Sequence, residues 1–437
     1  MADKEIDNQY DFFREVVLDE NGAMKVKVVD PLTAGLDNRI IVNQANVSTT
    51  LGGVIDSTKQ YFIDGIVDLG TNQITVPTTG MTIVGLSFDL SGLTSSEDNY
   101  TMFVSESIAI GSGNLLGADY FISVTGAGSK VYELYDATGF NAFEFTRINY
   151  IDCSSLGDIY DYRQGLELGT GRFQGNPSLT LHGLWRGGYR VTTSIVRDLA
   201  GTMTAPLFKE GALFQMNSRF LTDINCDLPT LAPFCDFQVS NFPNPSTVQI
   251  KGAIFSRDGA FDASDANIFP NLDRGDLPCD WDNNVGINNT FVGAELTNGS
   301  DTITTINTQN TFEDLGGAWA IEGEEHFDSP SSGRLRHLGI NPKEFTVSWS
   351  FVMDGKNNDN YDIALLRQNG GVGIPDVLAT QVRVINNLQG GRDVGYWVGK
   401  KNIVMNQNDE VFFQVANLSD SDDITLESDS TFFIEER

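Results

Sequence analysis

Histidine and cysteine are scarce. Among 437 residues there are three histidines, His182, His326 and His337, and four cysteines, Cys153, Cys226, Cys235 and Cys279. No CxxC pair occurs and no His–Cys group has zinc spacing, so the usual zinc sites are excluded and free, mostly buried thiols are expected. Positive charge is also short: 28 Lys and Arg face 59 Asp and Glu, for a net charge of −31. A field of that sign repels phosphate backbones and anionic lipid, so neither nucleic acid nor a membrane surface is an expected partner. No apolar run reaches the ~18 residues that span a bilayer. The opening MADKEIDNQYDFF puts charges where a secretion signal needs an apolar stretch, so the chain is expected to be made in a cytosol and to stay soluble. P-loop, GxSxG, HExxH and kinase signatures are missing. Helical periodicity is nearly absent, apart from a short stretch around 205–217.

What is present reads as β structure. Hydrophobic residues make up 40% and charged residues 20%, ordinary globular content with enough apolar surface for a core. The 44 glycines, about 10% against a usual ~7%, sit with Asn, Asp, Ser and Thr between short apolar runs. The length suits two or three domains.

Residues 1–48 read as a leader that docks elsewhere. Phe12 and Phe13 stand among charges, and Asn21-Gly22 separates two Val-rich runs, a hairpin signal. Such a piece makes no core of its own, so the two aromatics are candidate anchors; the alternative is a frayed end. Residues 49–285 carry many β-type runs, such as Ile74-Thr75-Val76, Val131–Tyr135, Phe143–Ile148 and Leu179-Thr180-Leu181. Most alternate apolar and polar residues, so each buries one face. Their irregular connections favour a solenoid of parallel strands over a sandwich. Residues 286–437 show longer runs, including Phe345–Met353, Tyr361–Gln368, Val377–Val384 and Val411–Asn417. Eight or so antiparallel strands there fit a two-sheet jelly roll. The fold class is therefore mainly β: a short N-terminal anchor, a β-helix-like middle and a C-terminal antiparallel sandwich.

Two stretches resemble known families. Gln73–Leu90, with its turn, strand, glycine, strand cadence, looks like the opening coils of right-handed parallel β-helix proteins of the pectate-lyase-like class, and Phe143–Asp152 resembles their later rungs. The C-terminal order L-R-H-L-G-I-N-P-K-E-F-T-V-S-W-S-F … N-D-N-Y-D-I-A-L-L-R-Q-N-G … N-D-E-V-F-F-Q-V-A-N is similar to the jelly-roll domains that end phage and large-virus fibre proteins, of the tumour-necrosis-factor/C1q type. That resemblance implies a homotrimer with Phe345, Trp349 and Phe413 at its core or around its threefold axis. It also implies a virion location, as a head fibre, tail fibre or decoration protein held to other virion proteins through residues 1–48.

The function expected from this is attachment to host surface glycans without turnover. The rival is a tailspike depolymerase, a glycoside hydrolase or lyase acting on capsule or lipopolysaccharide. A secreted bacterial carbohydrate-binding protein is a third reading, weakened by the charged N-terminus. Hydrolysis needs two carboxylates ~5–9.5 Å apart; Glu144, Asp152, Asp158, Asp161, Asp223, Asp227 and Asp236 are candidates that an acidic chain offers by chance. No catalytic residue is therefore assigned. Asp258, Asp262 and Asp265 lie in a carboxylate-rich segment that could hold Ca2+, though its spacing matches no EF-hand; otherwise it is an acidic linker, and no other cofactor is expected. Trp185 and Tyr189, beside Arg186 and Arg190, suit sugar stacking or a subunit interface; the alternative is core packing.

Overall fold

The computed structural model describes residues 38–437 apart from 169–171, 193–194, 219, 244–247, 263–264, 273–279, 283, 288–291, 340–341 and 386–393, together with Arg14–Leu18 and Met24–Val28. The protein is mainly β, 51% strand and 3% helix. Two separate hydrophobic cores divide it, one formed by residues from Val42 to Ile287 and one by residues from Val292 to Ile434. Arg14–Leu18 and Met24–Val28 pair with each other antiparallel, Leu18 opposite Met24. The expected anchors Phe12 and Phe13, and the turn Asn21-Gly22, lie outside the described residues.

Parallel strands build the first unit. The chain visits three sheets in rotation: Gln60–Ile63, Ile66–Asp68 and Ile74–Val76 are followed by Met81–Gly85, Gly92–Ser95 and Thr101–Ser105, each pairing in parallel with its counterpart one coil earlier. Repetition gives parallel sheets of ten, eight and six strands. Short strands suffice because each coil finds its hydrogen-bond partners in the coils before and after it, which leaves little backbone unpaired. Arg39–Val42 is the first strand of the ten-stranded sheet and Val47 belongs to the core. The stack thus takes in residues that the sequence pattern assigns to the leader. The helical stretch expected near 205–217 is instead the strands Phe208–Glu210 and Gln215–Met216.

Inward positions repeat from coil to coil. In the ten-stranded sheet Met81, Leu115, Phe143, Gly165, Tyr189, Phe220 and Val248 follow one another in register. Glycine enters this column where a neighbouring ring needs its space: a Cβ on Gly165 would lie 2.1 Å from Tyr189 Cδ2. Corners use left-handed backbone. Asp119 and Arg147 have φ of 62° and 56° at equivalent corners of successive coils, and an Arg147 Nε–Asp119 Oδ1 ion pair of 2.6 Å ties the corners together. Cys153, Cys226 and Cys235 are free, buried thiols of this core; Cys279 lies outside the described residues.

Two antiparallel sheets enclose the second core. The larger contains Val394–Met405, Lys343–Asp354, Thr431–Glu436, Gly293–Asn298 and Trp319–Glu325 in that spatial order. The smaller contains Arg334–His337, Glu410–Asn417, Asn360–Gln368 and Asp376–Val384. Alternation on Lys343–Asp354 sends Phe345, Val347, Trp349, Phe351 and Met353 inward, against Tyr361, Ile363, Leu365, Phe413 and Val415.

Candidate functional site

The six-stranded sheet of the stack carries the polar and aromatic side chains that converge. Its strands Lys130–Tyr135, Gly157–Tyr160 and Leu179–His182 share one register, so Glu133 faces Asp158, which faces Thr180, and Tyr135 faces Tyr160, which faces His182. Period-2 alternation puts Leu134, Ile159 and Leu181 into the core and these side chains outside. The local sequences Glu133-Leu134-Tyr135, Asp158-Ile159-Tyr160 and Thr180-Leu181-His182 are one motif used in three coils.

The three rings form a stack. Tyr135 and Tyr160 lie 4.1 Å apart at 12°, and Tyr160 and His182 lie 4.0 Å apart at 13°. His182 is fixed by two bonds. The Ala212 N–H donates to its Nδ1 at 2.8 Å, so Nε2 carries the proton and donates to Asp158 Oδ1 at 3.0 Å. Lys130 Nζ reaches Asp158 Oδ2 at 3.3 Å and Glu133 Oε2 at 3.1 Å. The hydrogen bond from His182, aided by Lys130, holds the Asp158 carboxyl below the usual carboxylate range. Burial works against the charge on Lys130, but Glu133 and Asp158 outweigh it and raise the ammonium. Burial, then Tyr135 and the nearby carboxylates, push the Tyr160 hydroxyl up, so it stays neutral at physiological pH.

A groove of about 510 Å³ opens beside this stack, lined by Thr75, Val104, Glu106, Ile108, Glu133 and Tyr135 among others. Tyr160 covers one face of the Tyr135 ring; among the described residues no second ring covers the other. A smaller hollow of about 230 Å³, between Asp136, Thr138, Asp161 and Arg186, lies around the next corner of the same coils. An aromatic platform flanked by carboxylates and hydroxyls suits a hydroxyl-rich, uncharged ligand.

Most of the residues singled out by sequence fall elsewhere. Trp185 and Tyr189 are both 0% exposed, with their rings 5.6 Å apart and Trp185 Nε1 donating to the His182 carbonyl at 3.0 Å. They are core residues, neither glycan platform nor interface; Arg190, exposed between buried Tyr189 and Val191, is what the alternation turns outward. Phe345, Trp349 and Phe413 are 0%, 8% and 3% exposed inside one chain's sandwich, the latter two rings 5.2 Å apart. A single copy already buries them.

Asp258, Asp262 and Asp265 do not converge. Asp258 accepts from Thr230 Oγ1, while Asp265 accepts from Arg257 Nε at 2.5 Å and from the Asn267 N–H at 2.9 Å. Among the described residues the carboxylates that do converge are Asp359, Asp420 and Asp422, with oxygens within 4.8 Å of one another. Lys356 Nζ is 2.5 Å from both Asp420 and Asp422 and supplies the positive charge there. Of the other candidate carboxylates, Asp227 binds Ser256 Oγ and the Gly259 N–H, Asp161 binds the Leu184 N–H, and Glu144 binds Gln164. They link coils and turns. Asp158 is the member of that set found in the groove network.

No family model matches the sequence, and no curated protein does. Among solved structures, a TNF protein, Eiger, from S. frugiperda is similar over 34% of this chain and 93% of its own, with 10% identity and a TM-score of 0.27. Murine APRIL is similar over 33% of this chain and 98% of its own, with 10% identity and a TM-score of 0.24. Likeness at this level assigns no activity.

Proposed function

We propose that this protein is a virion attachment protein that binds host surface polysaccharide along the outer face of its six-stranded sheet, with the Tyr135–Tyr160–His182 stack as the platform. In this reading the stack of coils is a right-handed parallel β-helix, the two-sheet unit is a jelly roll, and residues 1–48 join the chain to other virion proteins. Three copies act together, so that weak single-site binding becomes firm by avidity. The observation that carries the reading is the half-open ring stack beside a long, hydroxyl- and carboxylate-lined groove. Its acidic wall, in a chain of net charge −31, selects neutral sugars over anionic ones.

His182 and Lys130 hold Asp158 ionised, the state a ligand hydroxyl can donate to and also the state a hydrolase asks of one carboxylate of its pair, so chain length decides between binding and cleavage. The test is binding of the full chain to a panel of neutral hexose polysaccharides, with chain length followed in parallel. Tyr135→Ala should weaken binding by roughly two- to tenfold, since a ring contact contributes ~0.5–1.5 kcal/mol beyond its buried area. Wild-type protein that binds none of the panel, or a variant that binds equally well, would sink the reading; shortened chains would favour the depolymerase instead.

A further inference from the structure

The ring stack is closed at one end and open at the other. At the His182 end the backbone of Gly211 comes so near that a Cβ there would lie 2.3 Å from the imidazole Nδ1. At the Tyr135 end the column continues into a side chain of another kind. Glu133 pairs with Val104, so two residues further on Tyr135 comes level with Glu106. The Tyr135 N–H donates to Ser105 Oγ at 2.8 Å, which ties the two coils together at that point. Along the outer face the column therefore runs Glu106, Tyr135, Tyr160, His182. A carboxylate stands where the next ring of the stack would be.

The other carboxylates beside the stack already have their counter-charge. Lys130 bridges Glu133 and Asp158, and His182 donates to Asp158. Glu106 is exposed and lines the groove with Tyr135, and among the described residues no cation or donor pairs with it. None of the described residues lining the groove is basic. A neutral ring laid on the open face of Tyr135 would crowd water away from Glu106 and bring it no counter-charge, an unfavourable exchange for a carboxylate. A ring that carries an ammonium at its rim reverses the sign. Its C–H face covers the tyrosine, its cation meets the carboxylate, and the ring face of Tyr135 adds its own attraction for positive charge.

We infer that the polysaccharide unit seated on Tyr135 is an amino sugar with a free, protonated amine, its pyranose face on the open ring and its ammonium paired with Glu106. The inference rests on the groove reading of the proposed function and narrows its ligand. Three β-1,4-linked hexamers, of glucose, glucosamine and N-acetylglucosamine, differ only in the C2 substituent and provide the test. Calorimetric titration of the full chain at about pH 5.5 keeps the amines protonated and exposed carboxylates ionised. Wild type should bind the glucosamine hexamer roughly two- to fivefold more tightly than the other two, the span expected of one exposed ion pair. Glu106→Gln should lose that preference and still bind the N-acetylated hexamer as wild type does, which also shows the variant to be folded. Glu97→Gln removes the same charge from an exposed residue outside the groove lining and should keep the preference. Equal affinity for the three hexamers, a preference that survives Glu106→Gln, or one lost equally in Glu97→Gln would each overturn the amine assignment and leave the groove reading standing. A wild type that binds none of the three would overturn it as well, and the neutral polysaccharide panel then decides the groove reading separately.

Discussion

Replacing Gly165 by alanine isolates the packing rule of the stack. The added methyl would lie 2.1 Å and 2.3 Å from two Tyr189 ring carbons and 3.2 Å from Trp185 Cζ3. Both rings are fully buried and cannot swing into solvent. Either the coil shifts or the rings leave their rotamers, and overpacking of this kind costs about 1–3 kcal/mol. Gly201→Ala is the control, because nothing lies within 4 Å of the methyl it would add. Both changes remove similar freedom from the unfolded chain, worth about 0.4–1 kcal/mol in favour of the fold where the backbone permits. That shared gain cancels, so the two variants should differ by about 1–3 kcal/mol. In a thermal melt Gly165→Ala should lie ~2–12 °C below Gly201→Ala, taking ~2–4 °C per kcal/mol for a unit of this size. Gly165→Ala melting at or above Gly201→Ala would refute the claim that glycine makes room for rings in this column.

Three further outcomes are expected. Burial, with Lys343 and His326 adding to it, lowers the His337 pKa from 6.5; the unfolded chain then binds more protons, so stability is complete above about pH 6.5 and declines below it by at most ~1.4 kcal/mol per pH unit. His337→Gln should flatten urea-denaturation midpoints between pH 5 and 7, and an unchanged slope would contradict the assignment. Burial pushes the Cys153 thiol up to about 12 and raises Cys226 and Cys235 as well, so mass-spectrometric mapping should find these three unalkylated until denaturant is added. Lys356→Gln should destabilise the second unit at neutral pH and less at pH 4, because it leaves Asp359, Asp420 and Asp422 facing one another without their cation; equal effects at both pH values would argue against it.

Much of the architecture could be read from pattern alone, because alternation is a local signal. Phe345–Met353 alternates along most of its length and lies in a long strand, and the apolar run Val411–Asn417 lies in another. The candidate site could not be read so directly. Tyr135, Tyr160 and His182 are brought together by coil closure, and the coils differ in length, so no fixed period announces them. The clue was the recurrence of an acidic or hydroxyl residue, an aliphatic residue and a ring, visible once the coils are aligned. Trp185 misleads because Arg186 and two glycines follow it, a polar context that says nothing about which way the indole points. Phe345, Trp349 and Phe413 fill the second core, because two packed sheets of this size need large rings for their own interior. A parallel ladder can begin with a strand as short as Arg39–Val42, ahead of residue 48, whose partner lies a coil later in the chain.

The coil-upon-coil pairing of the first unit also makes its length an independent variable. A coil touches its neighbours above and below and little else, so a duplicated or deleted coil leaves distant ones undisturbed. Each coil advances the stack by about 4.8 Å. A lineage could therefore extend the row begun by Tyr135, Tyr160 and His182 ring by ring, lengthening the groove beside it, without redesigning the interior.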